Sequence, residues 1–159
     1  IDVSELARLK EQGAGVCDYP EGRKLERDAI IDVECDIWIP AARPDVIRED
    51  NVDRLKTKLL LEGANIPLTA GAEDALYRRG VLCVPDFIAN AGGVICAAME
   101  YAGATQSAVF QSIEEKIRTN VESVLGIAVE RQTPPRQAAV QLATERVREA
   151  MKSRRFNIM

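Results

Sequence analysis

The apolar positions of this chain follow two different rules, and the point where one gives way to the other divides it. In the first half they form short continuous runs: Cys35-Asp36-Ile37-Trp38-Ile39, Lys58-Leu59-Leu60-Leu61-Glu62 and Val81-Leu82-Cys83-Val84, stopped by Pro40, Gly63 and Pro85. Runs too short for a helix and ended by proline or glycine predict strands. From Ser107 to Arg131 the rule changes. Phe110, Ile113, Ile117, Val121, Val124 and Ala128 recur every three or four residues, the stripe of a long amphipathic helix. Pro134-Pro135 ends it, and a second helix is expected from about Arg136 to Met151 with Ala139, Leu142, Val147 and Ala150 on its buried side.

The remaining segments read from their punctuation. Asp2 or Ser4 can cap a short helix carrying Leu6 and Leu9, ended by Gly13 or Gly15. A brief strand is expected near Gly15 to Asp18 and a loop from Pro20 to Asp28, while Ala29 to Val33 fits more than one conformation. Irregular apolar spacing between Asp45 and Lys56 predicts one or two helical turns. Thr69 should cap a helix through Arg79 with Ala72, Leu76 and Ala75 inward and Gly80 at its end. Asn90 is placed to cap a further helix running to Glu100. The basic Lys152-Ser153-Arg154-Arg155 reads as a solvated helix end.

Strand, connection and helix recur in that order, with successive strands too far apart for hairpins. Such spacing predicts right-handed crossovers and a parallel sheet, and uninterrupted apolar strands suit a sheet covered on both faces. The expected fold class is therefore α/β, a partial Rossmann-like parallel sheet flanked by helices, with two helices at the C-terminus.

Composition narrows the classes of function. With 159 residues the chain suits a single domain, since about 100 to 200 residues make one. A net charge of −4 without a basic block argues against a nucleic-acid or membrane-surface partner. No apolar run approaches a bilayer span and no signal peptide is visible, so a cytoplasmic location is expected. Cys17, Cys35, Cys83 and Cys96 are scattered, and histidine is absent. No metal site is expected from such a set, and Ser-His-Asp or Cys-His catalysis within this chain is excluded.

The chemistry gathers where the strands end. Pro40-Ala41-Ala42, Gly63-Ala64-Asn65 and Asn90-Ala91-Gly92-Gly93 finish three successive strand segments. If those strands are parallel, all three ends reach the carboxyl edge of the sheet, where doubly wound folds bind ligands. Alanines and glycines give clearance there, and two carboxamides, Asn65 and Asn90, supply donors and acceptors without charge. A nicotinamide riboside is a ligand of that kind. Each asparagine could equally serve its own turn.

The longer blocks that hold these ends, Cys35-Asp36-Ile37-Trp38-Ile39-Pro40-Ala41-Ala42, Glu62-Gly63-Ala64-Asn65-Ile66-Pro67 and Pro85-Asp86-Phe87-Ile88-Ala89-Asn90-Ala91-Gly92-Gly93-Val94, together with the closing Ala143-Thr144-Glu145-Arg146-Val147 helix, closely resemble the cofactor domain of the glutamate/leucine/phenylalanine/valine dehydrogenases. The likeness extends over nearly the whole chain. It implies reversible, NAD- or NADP-dependent oxidative deamination of an L-amino acid to a 2-oxo acid and ammonia, in a homo-oligomer. It places Pro40, Ala41, Ala42, Asn65 and Asn90 against the cofactor, and Gly92, Gly93, Val94 and Ala97 beside the substrate. The family's catalytic lysine and aspartate lie in a separate N-terminal domain, and its glycine-rich fingerprint precedes Ile1. The chain is thus expected to be the C-terminal part of a dinucleotide-binding domain, without catalytic residues and inactive alone. Ala97 departs from a serine that contacts the distal carboxylate in glutamate-type enzymes, which leaves the amino acid open; NAD versus NADP is open as well. A regulatory or assembly module without catalysis, or another Rossmann-like enzyme such as one taking an adenosyl ligand, are the competing expectations.

Overall fold

The computed structural model describes residues 1–153; Arg154 and Arg155 of the basic tail lie outside them. The chain divides into two compact units, residues 1–33 and 34–159. In the first, Asp2 accepts amide bonds from Ser4 and Glu5 and so caps helix α1, Val3–Glu11. Gly13 then turns the chain at φ +80°, a conformation glycine adopts without a Cβ penalty. The expected strand near Gly15 is instead a single 3₁₀ turn, Val16–Asp18. Its cause is local: the Asp18 carboxylate accepts the Gly15 amide at 2.8 Å, closing a turn that an extended segment would leave open. The ambiguous 29–33 stretch falls mostly in a second 3₁₀ helix, Arg27–Asp32.

The second unit holds a three-stranded parallel sheet in the order β1 (Ile37–Trp38), β2 (Leu59–Leu61), β3 (Leu82–Val84). β1 is shorter than its apolar run because Pro40 has no amide to continue the ladder. Its backbone still pairs beyond the strand, with Ala64 donating to the Pro40 carbonyl at 2.7 Å. The ladder sets Leu60 opposite Cys83 and Leu61 opposite Val84. Alternation then gives the two faces separate cores. Leu60 and Cys83 share one face, and helix α2, Ala70–Arg78, forms the crossover between β2 and β3. Thr69 caps α2 through the Ala72 amide, Ala72 and Leu76 are fully buried, and Gly80 follows at φ +77°. Val84 faces the other way with Leu59 and Leu61, into a core built from Ile88, Val124, Ala128, Ala138 and Ala139.

That second core is closed by helices α5, Gln106–Arg131, and α6, Pro135–Ser153. The α5 stripe begins one residue earlier than the spacing suggested. Val109 is buried, whereas Phe110 is 64% exposed, so the inward row runs from Val109 through Ile113, Ile117 and Val121 to Val124 and Ala128. Pro135 opens α6, where its missing amide costs nothing. Only the first half of α6 packs as expected: Val147 and Ala150 are exposed, and Ala138, unremarked in the sequence, is fully buried.

Between β3 and α5 the central motif takes a different course from the one its asparagine suggested. Pro85 leads into a one-turn helix α3, Asp86–Ala89, which ends at Asn90. Helix α4, Gly92–Tyr101, follows at once with Ala91 at its N-cap and no side-chain cap. Asn90 is thus a C-cap residue, and its side chain is engaged elsewhere.

Candidate functional site

Because β1, β2 and β3 run parallel, their following segments emerge at one edge of the sheet and lie against each other. A Cβ added at Gly63 would stand 3.1 Å from the Ala41 Cβ, so the β1 and β2 ends pack closely and a side chain there would need Ala41 to give by a few tenths of an ångström. The β2 and β3 ends are joined by side chains: Asn90 Nδ2 donates to Asn65 Oδ1 at 2.7 Å. The three sequence blocks thus form one continuous shelf.

The shelf is flanked by two open cavities. One, of about 480 Å³, is lined by Ala41, Ala42, Arg43, Gly63, Ala64 and Asn65. The other, of about 680 Å³, runs from Asn65 and Asn90 past Val94 toward Lys116, Asn120 and Arg146. Asn65 belongs to both, so the carboxamide pair forms the divide between them. Pro40 is buried beneath the shelf, while Ala41 and Ala42 are exposed on it. Of the four residues expected beside a substrate, Val94 lines the larger cavity and is 77% exposed. Ala97 and Gly93 are exposed on α4, and a Cβ at Gly93 would meet nothing, so packing within this chain does not require a glycine there. A Cβ at Gly92 would sit 3.5 Å from Ile113, an ordinary contact.

The pair has a chemical preference that follows from its own bond. Spending one donor and one acceptor on each other leaves the Asn65 Nδ2 and the Asn90 Oδ1, without a protein partner among the described residues. A planar carboxamide offers the matching acceptor and donor. With small side chains on either side, these residues fit a nicotinamide ring and its amide. Among the described residues no group of three or more His, Cys, Asp or Glu side chains is placed to hold a metal ion, and no helix is long and apolar enough to cross a membrane.

Beneath the shelf lies a charged cluster that the sequence reading missed. Arg136 engages three carboxylates with its three guanidinium nitrogens: Nε reaches Glu73 at 2.5 Å, Nη1 Asp86 at 3.0 Å and Nη2 Glu62 at 2.8 Å. Glu62 is fully buried, and Glu73 and Asp86 nearly so. Burial pushes Glu62 up to about 7, against the pull of Arg136 and with the help of Glu73 and Asp86. Glu73 is raised for the same first reason. Asp86 is also penalised by burial, but the Ile66 and Phe87 amides and Arg136 outweigh that and hold it below its usual range. Burial disfavours charge on Arg136, yet the surrounding acids prevail and raise it. The only signals in the sequence were a glutamate closing an apolar strand, an aspartate directly after Pro85 and an arginine in the first helical turn after Pro135.

A three-stranded parallel sheet flanked by helices, with its strand ends gathered at one edge, is an α/β arrangement of the Rossmann-like kind. The family model of the glutamate/leucine/phenylalanine/valine dehydrogenases matches residues 1–155, and the chain belongs to that family. It is 37% identical to a glutamate dehydrogenase of Aeropyrum pernix, over 97% of this chain and 39% of the relative. To the NADP-specific glutamate dehydrogenase of Saccharolobus shibatae it is 36% identical, over 97% of this chain and 38% of that one. Among solved structures, the glutamate dehydrogenase of Peptoniphilus asaccharolyticus superposes with a TM-score of 0.74 at 26% identity, over 96% of this chain and 35% of that chain. The hetero-hexameric glutamate dehydrogenase of Thermus thermophilus shares the fold at a TM-score of 0.83 and 24% identity, over 99% and 38% of the two chains. The chain therefore spans about two fifths of the length of the curated relatives it matches.

Proposed function

We propose that this chain is the C-terminal part of the NAD(P)-binding domain of an amino-acid dehydrogenase, which oxidatively deaminates an L-amino acid to a 2-oxo acid and ammonia, reversibly. The observation that carries the reading is the Asn65–Asn90 bond across two parallel strand ends, which leaves the Asn65 NH2 group and the Asn90 carbonyl oxygen at the centre of the shelf. In this reading Pro40, Ala41 and Ala42 line the crevice, and Asn65 and Asn90 hold the carboxamide of NAD or NADP and fix the ring's orientation. The cofactor supplies hydride transfer. The protein's share is to present one ring face and keep the other covered. Gly92, Gly93, Val94 and Ala97 on α4 border the substrate, and the catalytic groups come from outside this chain.

Exposed apolar side chains on α4, α5 and α6, among them Tyr101, Phe110, Val129 and Val140, support assembly as a homo-oligomer. A net charge of −4 without a basic block fits a small-molecule substrate over a nucleic acid, and the reading places the enzyme in the cytoplasm. The test is direct. The full-length protein, supplied with L-glutamate, L-leucine, L-valine or L-phenylalanine, should reduce NAD⁺ or NADP⁺ and release ammonia. No reduction with any pairing would refute the proposal and favour a non-catalytic module.

A further inference from the structure

Arg136 stands in the first turn of α6, where the helix dipole disfavours a cation. Three carboxylates from three other segments hold it there, each on a different nitrogen, so the guanidinium plane cannot rotate without breaking a bond. One of those carboxylates, Asp86, lies directly under the shelf and grips it twice. Its Oδ2 accepts the Ile66 amide at 2.8 Å, and its backbone carbonyl accepts the Asn90 amide at 2.7 Å. Ile66 sits at φ +49°, a conformation a β-branched residue rarely adopts, so the turn that carries Asn65 needs an outside hold.

We propose that Arg136 is a positioning residue for the Asn65–Asn90 pair: it fixes Asp86, and Asp86 fixes the backbone that presents both carboxamides. The proposal rests on the reading of the shelf as the nicotinamide end of the cofactor site. Its chain of contacts is continuous. Arg136 Nη1 meets Asp86 Oδ1; Asp86 Oδ2 meets the amide next to Asn65; the Asp86 carbonyl meets the amide of Asn90 itself. Glu62 and Glu73 serve the same end by locking the other two nitrogens. Lysine offers a single nitrogen and cannot reproduce that three-way grip. A second consequence is that the placement of α6, which is remote in sequence from both asparagines, sets the geometry of the shelf.

The experiment uses the full-length protein with whichever of NAD⁺ and NADP⁺ supports turnover, and compares Arg136→Lys, Asn65→Ala and the double variant. Circular dichroism and thermal melting establish that each is folded. Arg136→Lys should raise the cofactor KM about fivefold or more while the amino-acid KM changes less, as expected when an orienting contact is loosened. In the double variant the two effects should not multiply, because residues acting through one chain of contacts are coupled. A fall in melting temperature with an unchanged cofactor KM, or effects that multiply in the double variant, would reduce Arg136 to a structural role and overturn the proposal. Should Asn65→Ala itself leave NADH and NADPH binding unchanged by fluorescence titration, the shelf reading falls and the proposal with it. If Arg136→Lys does not fold, Asp86→Asn replaces it: this variant keeps an acceptor for Ile66, weakens the Arg136 limb and is judged by the same outcomes.

Discussion

Asn90 donates to Asn65 at 2.7 Å, although they stand 25 positions apart with helix α2, strand β3 and the one-turn α3 between them. Only a parallel arrangement of β2 and β3 brings the segments after both strands to the same rim. An antiparallel pair would send them to opposite rims. The bond is therefore a local record of the topology, and it sets the chemical character of the rim: uncharged, planar and polar.

Glu62 gives the fold an unusual dependence on pH. Its folded-state value is raised from about 4.5 to about 7, mainly by burial. The folded state therefore binds the proton more tightly than the unfolded chain, and stability contributed by protonated Glu62 is present below about 4.5 and lost as pH rises through about 7. Glu73 adds to the same trend. Asp86, held below its usual range, acts oppositely and only in more acid solution. Denaturant unfolding across pH 4.5 to 7 should show stability falling with pH, and Glu62→Gln should flatten the slope. A slope that is unchanged in the variant would contradict the assignment.

Thiol reactivity should follow burial. Cys17 is exposed, whereas Cys83 is buried in the middle of β3 and pushed up to about 12 by burial, with Glu73 and Glu62 adding to it. Alkylation with iodoacetamide at pH 8, read by mass spectrometry, should label Cys17 first and Cys83 only on unfolding. Early labelling of Cys83 in the native protein would show that the β3 core is open.

Much of this was legible in the sequence, and the losses have specific causes. Proline and glycine stopping three apolar runs gave the strands, and the crossover spacing gave their parallel sense. The meeting of three strand ends at one edge followed from those two; the Asn65–Asn90 bond did not, since each asparagine could equally have served its own turn. The 3₁₀ turn at Val16–Asp18 was missed because Asp18 closes it through a side chain, which apolar patterning does not register. Asn90 was misread as an N-cap because its side chain turns to Asn65 rather than to the first turn of α4. Phe110 was placed inward on spacing alone, but one residue of phase, about 100° around a helix, gives that position to Val109. The Arg136 cluster joins residues up to 74 positions apart, a distance at which no single-sequence pattern speaks.

The residue at position 97 tests the substrate. Ala97 is exposed on α4 and carries no donor. If α4 borders the substrate, Ala97→Ser should shift preference toward glutamate over leucine by about 1.5 to 3 kcal/mol at most, the value of a hydrogen bond to a charged group. The measurement is the ratio of kcat/KM for the two amino acids. An unchanged ratio would place the side-chain pocket away from this face of α4.

The most direct test of the shelf is cofactor binding to Asn65→Ala and Asn90→Ala in the full-length protein. Each substitution removes one half of the pair and leaves the other carboxamide unbraced, so NADH or NADPH affinity should fall about five- to fiftyfold, the loss of one to two oriented hydrogen bonds. Circular dichroism should be unchanged, since both side chains lie at the rim. Wild-type affinity in both variants would contradict the claim that these parallel strand ends hold the nicotinamide.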